Sequence, residues 1–313
     1  MSTTETLEGN FQIGNNVLTE EERKQYETEG YIVIKNCIPK HEIDKYYQRF
    51  EEICQGKIKI PTLTIMRDIS IVKNNEFQNE RIVNKIQDFN DDEVLFSYCC
   101  YPTVINVVKD LIGNGSRDPT ILSMHTMLIN KPPDSGQLTS RHPMHQDLNY
   151  FPFRPSSGIC CAWTAMEKIN RQNGCLVVVP GSHKGTLLKH SYPDWEGGVN
   201  KAYHGIQDYD PSIPKVYVEM ECGDTVFFHP LLIHGSGANR TKGFRKAISC
   251  HYANDSICRY VDLKGTIQEH VENEIIEMAK KKFAKKGLTE IEITFQDIWS
   301  LRARTVCGKR SHL

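Results

Sequence analysis

No Cys-x-x-Cys pair occurs in this sequence, although it holds eleven cysteines. A cysteine-built zinc cluster or a thioredoxin-type redox motif needs that spacing, so neither is expected. The cysteines are odd in number and scattered. The adjacent pairs Cys99–Cys100 and Cys160–Cys161 sit in apolar runs, where thiols serve as small hydrophobes. A reducing compartment without a disulfide frame is the expectation. No apolar run reaches the roughly 18 residues of a membrane span. The opening MSTTETLEGN has neither a basic n-region nor an apolar h-region, so no secretory signal is expected. Charge of one sign is not in excess either. The formal net charge is −1, so composition calls for no nucleic acid and no anionic membrane as partner. Internal repeats and low-complexity tracts are absent.

What is present reads as an ordinary globular chain. Its 313 residues are enough to bury about three quarters of the surface the unfolded chain exposes. Residues 1–18 form a polar lead. Thr19 followed by Glu22 is a capping-box pattern and predicts a helix ending near Gly30. Residues 31–35 (YIVIK) predict a strand. A second helix is expected from about His41 to Gln55, with Ile43, Tyr46, Tyr47, Phe50, Ile53 and Cys54 on one stripe and Gly56 to end it. A helical signal returns across about 77–113, turning near 90–92 and at Pro102.

From about 120 the pattern changes to short β-rich runs punctuated by Gly, Pro, Asn and Asp. Strands are predicted near 121–130, 143–149, 159–168, 175–179, 215–221, 224–228, 231–236 and 245–252. Eight such runs suggest a sandwich or jelly-roll barrel. The long connection 181–214, which carries Trp195, has the length of a lid or substrate wall. An amphipathic helix is expected over 267–286, outside the barrel. The chain is read as a single catalytic domain over 19–313. It comprises a helical buttress at about 19–118, a mainly β core at about 119–262 and a C-terminal helical segment at about 263–313.

Three pieces carry chemistry. In a strand, residues two apart project from one face, so His145 and Asp147 point together while Gln146 points away. An imidazole and a carboxylate suit Fe(II), Mn(II) or Zn(II), although His-x-Asp alone is a common pair. His234, 89 positions later beside Gly235, supplies a second imidazole. A histidine in an apolar strand is otherwise a satisfied core residue. Together the three form a facial triad, which leaves coordination positions open. Arg245 follows 11 positions on, and a hairpin through 237–243 is expected to return it beside the His234 strand. Its planar cationic fork suits a carboxylate, the alternative being a surface salt bridge. Ser236 shares the face of His234 and offers a hydroxyl.

The runs 145–155 (HQDLNYFPFRP), 161–167 (CAWTAME), 173–184 (NGCLVVVPGSHK), 195–201 (WEGGVNK), 204–209 (HGIQDY) and 223–230 (GDTVFFHP) resemble the phytanoyl-CoA dioxygenase family. The resemblance covers roughly residues 20–305. The stretch 113–117 looks longer than its family counterpart, and the N-terminal peroxisomal address of some members is not found.

The resemblance implies a double-stranded β-helix, a jelly-roll core. It implies Fe(II) on His145, Asp147 and His234, and 2-oxoglutarate held by Arg245, Ser236 and Trp163, with Met127 and Lys85 as further contacts. Lys85 lies in 83–89 (VNKIQDF), a family-like stretch. By residue type alone it would be a solvated helix face, and Met127 would be core. The implied reaction uses O2, with ascorbate as reductant, to hydroxylate phytanoyl-CoA and related 3-methyl-branched acyl-CoA thioesters at the 2-position in fatty acid α-oxidation. Asp147, where Ala or Gly would leave room for a halide, favours hydroxylation over halogenation.

Alternatives are a same-family hydroxylase for another substrate, a non-catalytic binding protein of the same fold, and a zinc hydrolase or cupin-type isomerase using the same ligands. Arg154, Lys131 and Arg141 are candidate phosphate partners in loops, against the reading of solvated surface charges. His125, His142, His183, His229 and His251 are expected to be structural or to support the ligands through hydrogen bonds. His251 shares strand parity with Arg245 and is expected to face the cavity. The end Ser311-His312-Leu313 is a variant of the Ser-Lys-Leu peroxisomal address. It points to a peroxisomal import receptor as partner and the peroxisome as location.

Overall fold

A computed structural model describes residues 17–67, 83–136, 138–196, 198–284, 287 and 292–310. Most of the polar lead (1–16), the start of the expected helical stretch (77–82) and Ser311-His312-Leu313 lie outside the described residues.

The helices are α1 (Glu20–Glu29), α2 (Lys40–Cys54), α3 (Glu93–Cys99), α4 (Pro102–Ile112), α5 (Glu269–Ala284) and α6 (Phe295–Arg302). The first half of the chain supplies the strands β1 (Tyr31–Ile34), β2 (Thr64–Arg67), β3 (Val83–Gln87), β4 (Ile121–Lys131), β5 (His142–His145), β6 (Phe153–Arg154) and β7 (Ile159–Ala165). The second half supplies β8 (Leu176–Val178), β9 (His190–Ser191), β10 (Gly205–Ile206), β11 (Val216–Val218), β12 (Thr225–Phe228), β13 (His234–Ser236), β14 (Arg245–Asn254), β15 (Arg259–Tyr260) and β16 (Arg304–Cys307).

Local chemistry starts these elements where expected. The Thr19 hydroxyl accepts from the Glu22 amide at 3.2 Å, and the Glu22 carboxylate accepts from the Thr19 amide at 2.8 Å. Gly30 ends α1 at φ +83°, a conformation that costs glycine little.

Two antiparallel sheets make the jelly roll. The major sheet runs β1-β12-β7-β14-β4-β3-β2, with β16 added to β4, and the minor sheet runs β11-β8-β13-β5. Strand parity divides the major sheet into two faces. On β4, His125, Met127, Ile129 and Lys131 line an interior cavity of about 1150 Å³. Leu128 on the other parity joins the core under the helices. There Tyr46 and Phe50 of α2, Tyr98 of α3 and Val104, Val107 and Val108 of α4 meet Ile248, Cys250 and Tyr252 of β14. Each such buried side chain contributes on the order of 2 kcal/mol. All eleven cysteines are free.

The structure corrects several expectations. Residues 83–87 are a strand, not a helix, because they pair with β2 on one side and β4 on the other. Neighbouring strands here override local propensity. Strand β5 stops at His145, and Asp147 opens a 3₁₀ turn over Asp147–Tyr150. Residues 31–34 form the expected strand β1, and the segments before 119 and after 262 also add β2, β3 and β16 to the major sheet, which the helical reading of those segments lacked. The expected C-terminal helix is α5. It does not lie simply outside the barrel, because Ile275, Met278 and Ala279 line the cavity.

Candidate metal centre and co-substrate pocket

His145 and His234 are direct cross-strand partners on β5 and β13. Asp147 meets both across the start of the 3₁₀ turn. Its Oδ1 lies 3.2 Å from His145 Nε2 and 3.7 Å from His234 Nε2. One donor atom from each of the three residues falls within 4.8 Å of the others, and all three residues are buried. Both rings are oriented from behind. His145 Nδ1 donates to the Pro143 carbonyl at 2.8 Å, and His234 Nδ1 donates to the Leu232 carbonyl at 3.0 Å. These bonds fix the tautomer that leaves each Nε2 lone pair free to bind a cation. Burial, with His145 alongside, pushes the His234 imidazole down to about 4, so it is neutral near pH 7. Burial also pushes the Asp147 carboxyl up. The fields of His234 and His251 and the bonds from His145 and His251 outweigh this and hold it well below the usual carboxylate range. The donor set fits a divalent metal ion of the Fe(II) type.

Gln146 points away, as the parity argument requires, and does work of its own. Its Nε2 donates to the Leu231 and Thr186 carbonyls at 3.0 and 3.1 Å, and its Oε1 accepts from the Leu188 amide at 2.8 Å. It thereby ties β5 to the segment leading into β13 and to the long connection. Gln268, just before α5, does the same for the 3₁₀ turn, donating to the Leu148, Asn149 and Phe151 carbonyls.

His251 on β14 supports the carboxylate. Its Nε2 lies 2.7 Å from Asp147 Oδ2, on the side opposite the two triad histidines. It also faces the cavity, as its parity with Arg245 suggests. Orienting bonds of this kind typically raise metal affinity about 10–100-fold. His251→Ala is therefore expected to lower metal affinity by about that factor. Chelator competition measures this, and an unchanged affinity would remove His251 from the role.

Arg245 begins β14 in the major sheet, whereas β13 belongs to the minor one, so the expected hairpin is instead a crossing between sheets. Asn239 holds that crossing by donating to the Lys131 and Gly243 carbonyls at 3.2 and 2.8 Å. Arg245 is 2% exposed. Nη2 donates to the Gly174 carbonyl at 2.6 Å, and the Trp163 ring lies 5.3 Å from its central carbon. Nη1 is buried and has no hydrogen-bond partner among the described residues. Burial pushes the group down to about 10, still cationic at neutral pH. Arg245 lines the cavity, and a buried cation with an unmet donor there fits a carboxylate ligand.

Ser236, Trp163, Met127 and Lys85 line the same cavity. Lys85 Nζ sits 4.6 Å above the Tyr203 ring, which comes from the long connection. The candidate phosphate partners are placed differently. Lys131 is buried on β4, not in a loop. Arg154 donates to the Phe151 and Phe153 carbonyls and contacts Gln268. Arg141 stacks at 3.6 Å on Trp195. His183 and His229 pack on each other away from the cavity, while His125 and His142 line it.

Four imidazoles, His190 and His234 buried and His125 and His229 half-buried, give the fold a pH dependence. Burial is the leading cause in each case, holding His125 at about 3 and His190, His229 and His234 at about 4, against an ordinary 6.5. Between 6.5 and about 4 the unfolded chain binds more protons than the folded one. Stability is then complete above 6.5 and is lost as pH falls through that window. The urea midpoint of the metal-free protein is expected to drop steadily from pH 7 to pH 4. A flat midpoint would contradict the burial of these rings.

The architecture and the site define a class, that of jelly-roll proteins with a two-histidine, one-carboxylate candidate metal centre inside the barrel. The comparisons narrow it. The family model for phytanoyl-CoA dioxygenase (PhyH) matches residues 26–247, so the chain belongs to that family. A Caenorhabditis elegans "probable phytanoyl-CoA dioxygenase" is 64% identical over 300 residues, covering 95% of this chain and 96% of its own. The human "phytanoyl-CoA dioxygenase, peroxisomal" is 54% identical over 303 residues, covering 97% of this chain and 87% of its own. Among solved structures, the epimerase SnoN in complex with Fe3+, alpha ketoglutarate and nogalamycin RO aligns at TM-score 0.58 and 18% identity, over 81% of this chain and 88% of that one. EctD from S. alaskensis in its apoform aligns at TM-score 0.58 and 15% identity, over 78% and 79%. These two likenesses establish the fold.

Proposed function

We propose that this chain is an Fe(II)- and 2-oxoglutarate-dependent dioxygenase that hydroxylates phytanoyl-CoA and related 3-methyl-branched acyl-CoA thioesters at the 2-position. The observation that carries the reading is the meeting, in one cavity, of the His145–Asp147–His234 donor set with Arg245, whose buried Nη1 has no hydrogen-bond partner among the described residues. The relatives' names supply the substrate.

Bound there, Fe(II) with 2-oxoglutarate supplies the oxidising power that places one atom of O2 on the substrate and the other in succinate, with release of carbon dioxide. The chain's own part is positioning and exclusion of water. His145, Asp147 and His234 hold the metal, with His251 steadying Asp147. Arg245 and Ser236 grip the far carboxylate of the co-substrate, flanked by Trp163, Met127 and Lys85. The cavity is also walled by Leu63, Ile65, Ile275, Met278 and Ala279, apolar side chains suited to a branched acyl chain.

The test is mass spectrometry on purified protein with Fe(II), ascorbate, 2-oxoglutarate and phytanoyl-CoA, with and without O2. Oxygen-dependent succinate, matched by an acyl-CoA that gains one oxygen, is the expected result. Succinate without oxidised acyl-CoA would redirect the search for substrate. No succinate from iron-loaded protein would overturn the assignment.

The peroxisome is the proposed location, supported by the names of the mammalian relatives. If Ser311-His312-Leu313 is the address, deleting Leu313 is expected to leave activity intact and move a tagged protein to the cytosol. Unchanged peroxisomal fluorescence would discard that motif.

A further inference from the structure

Lys131 is a buried ammonium that the metal site does not use. It is the last residue of β4, faces Arg245 across the β4–β14 pair and is 5% exposed. Its Nζ donates to Ser236 Oγ at 2.8 Å and to the Gly237 carbonyl at 2.6 Å. We propose that Lys131 is a positioning residue for a 2-keto dicarboxylate, aiming the Ser236 hydroxyl at the far carboxylate and setting a second fixed positive charge beside Arg245. The proposal rests on the co-substrate reading above and assigns its pocket a residue outside the expected set.

The argument is one of donor and acceptor valence. An ammonium has three donors and accepts nothing, and a guanidinium likewise only donates. With Lys131 donating into Ser236 Oγ, the serine's one proton must go to some other acceptor. Arg245 cannot be that acceptor. The Ser236 hydroxyl makes no other hydrogen bond among the described residues, and Arg245 Nη1 makes none. The unmet Nη1 donor and the serine proton therefore share one pocket lined by two cations, and a carboxylate satisfies both donors. Without Lys131, Ser236 could turn its proton toward the Gly237 carbonyl or elsewhere, and the pocket would lose a donor as well as a charge.

Gly174 builds this arrangement. Its carbonyl accepts from Arg245 Nη2 at 2.6 Å. At φ +78° it carries no side chain where a Cβ would stand 3.1 Å from Lys131 Cδ and 2.6 Å from the Gly237 carbonyl oxygen. One residue thus anchors the first cation and leaves room for the stem of the second.

The test uses iron-loaded enzyme. In anaerobic calorimetry with 2-oxoglutarate, K131M is expected to bind about tenfold or more weakly, the effect of losing a charge-assisted bond. In turnover, KM for 2-oxoglutarate rises by a similar factor while kcat at saturation stays within about twofold. Binding of 2-oxovalerate, which has the keto acid but no far carboxylate, should not change, so discrimination between the two acids falls. K131R should restore part of the affinity, and adding S236A to K131M should cost little more. Unchanged affinity and discrimination in K131M, alongside a clear loss in R245Q, would overturn the role of Lys131 alone. No loss in either variant would overturn the co-substrate reading itself. Should K131M fail to fold, K131Q, which keeps a donor and removes the charge, is read against the same outcomes.

Discussion

Replacing His145 or Asp147 with alanine is expected to abolish retention of Fe(II) and to cut turnover by at least about a thousandfold, since chemistry at the metal has no substitute on the protein. Each candidate ligand is held from behind, so the site cannot recruit a replacement without moving its frame. His145 is tied through Nδ1 to Pro143, and Asp147 is fixed between His145 and His251. The alanine at 147 would remove the acceptor of His251 as well as a metal ligand. The alanine at 145 would leave the cross-strand partner His234 facing an empty position. Metal content after desalting, measured beside turnover, gives the answer. A variant that keeps stoichiometric iron removes that residue from the ligand set, whatever its activity.

Arg245→Gln is expected to raise the 2-oxoglutarate requirement by about 10–100-fold or more, the effect of a lost charge-assisted pair in a dry pocket. Metal affinity should hardly change, because the guanidinium contacts no triad residue and bonds instead to the carbonyls of Asn173 and Gly174. Glutamine is short, neutral and offers two donors where the guanidinium offers five in a planar fork. Saturating co-substrate should therefore recover much of kcat, which separates this variant from a ligand variant. Folding should survive, since the substitution removes a buried charge with an unmet donor. A KM for 2-oxoglutarate equal to that of the parent would refute the assigned grip.

The two strongest effects fall on residues that could be read at very different strengths. His145-x-Asp147 and the distant His234 announce donor chemistry by type and spacing. Lys85 and Met127 carry no such signal. Lys85 even falls in a stretch whose local pattern reads as helix, and it became a candidate only through family resemblance. Its strand exists because β2 and β4 flank it, which is information held in distant segments. Lys131 shows the converse failure. Lysine is usually solvated, and nothing nearby in sequence announces that the Ser236 hydroxyl, 105 positions away, will meet its ammonium.

By itself the sequence determined what nearest-neighbour chemistry can fix. It set the capping box at Thr19, the stripe of α2, most β-runs after residue 120, the outward turn of Gln146 and the donor types of the candidate triad. These depend on backbone periodicity and donor identity, which are local. The tertiary structure alone decided which sheet each strand joined. It turned the supposed hairpin before Arg245 into a crossing between sheets, placed one face of α5 against the cavity and set His251 behind Asp147. It also left Arg245 Nη1 buried without a hydrogen-bond partner among the described residues. Those outcomes follow from pairing register and burial between segments that are separated along the chain, as Lys85 is from Ile129 and His234 from His145, where the free energy belongs to the contact and neither segment encodes it alone.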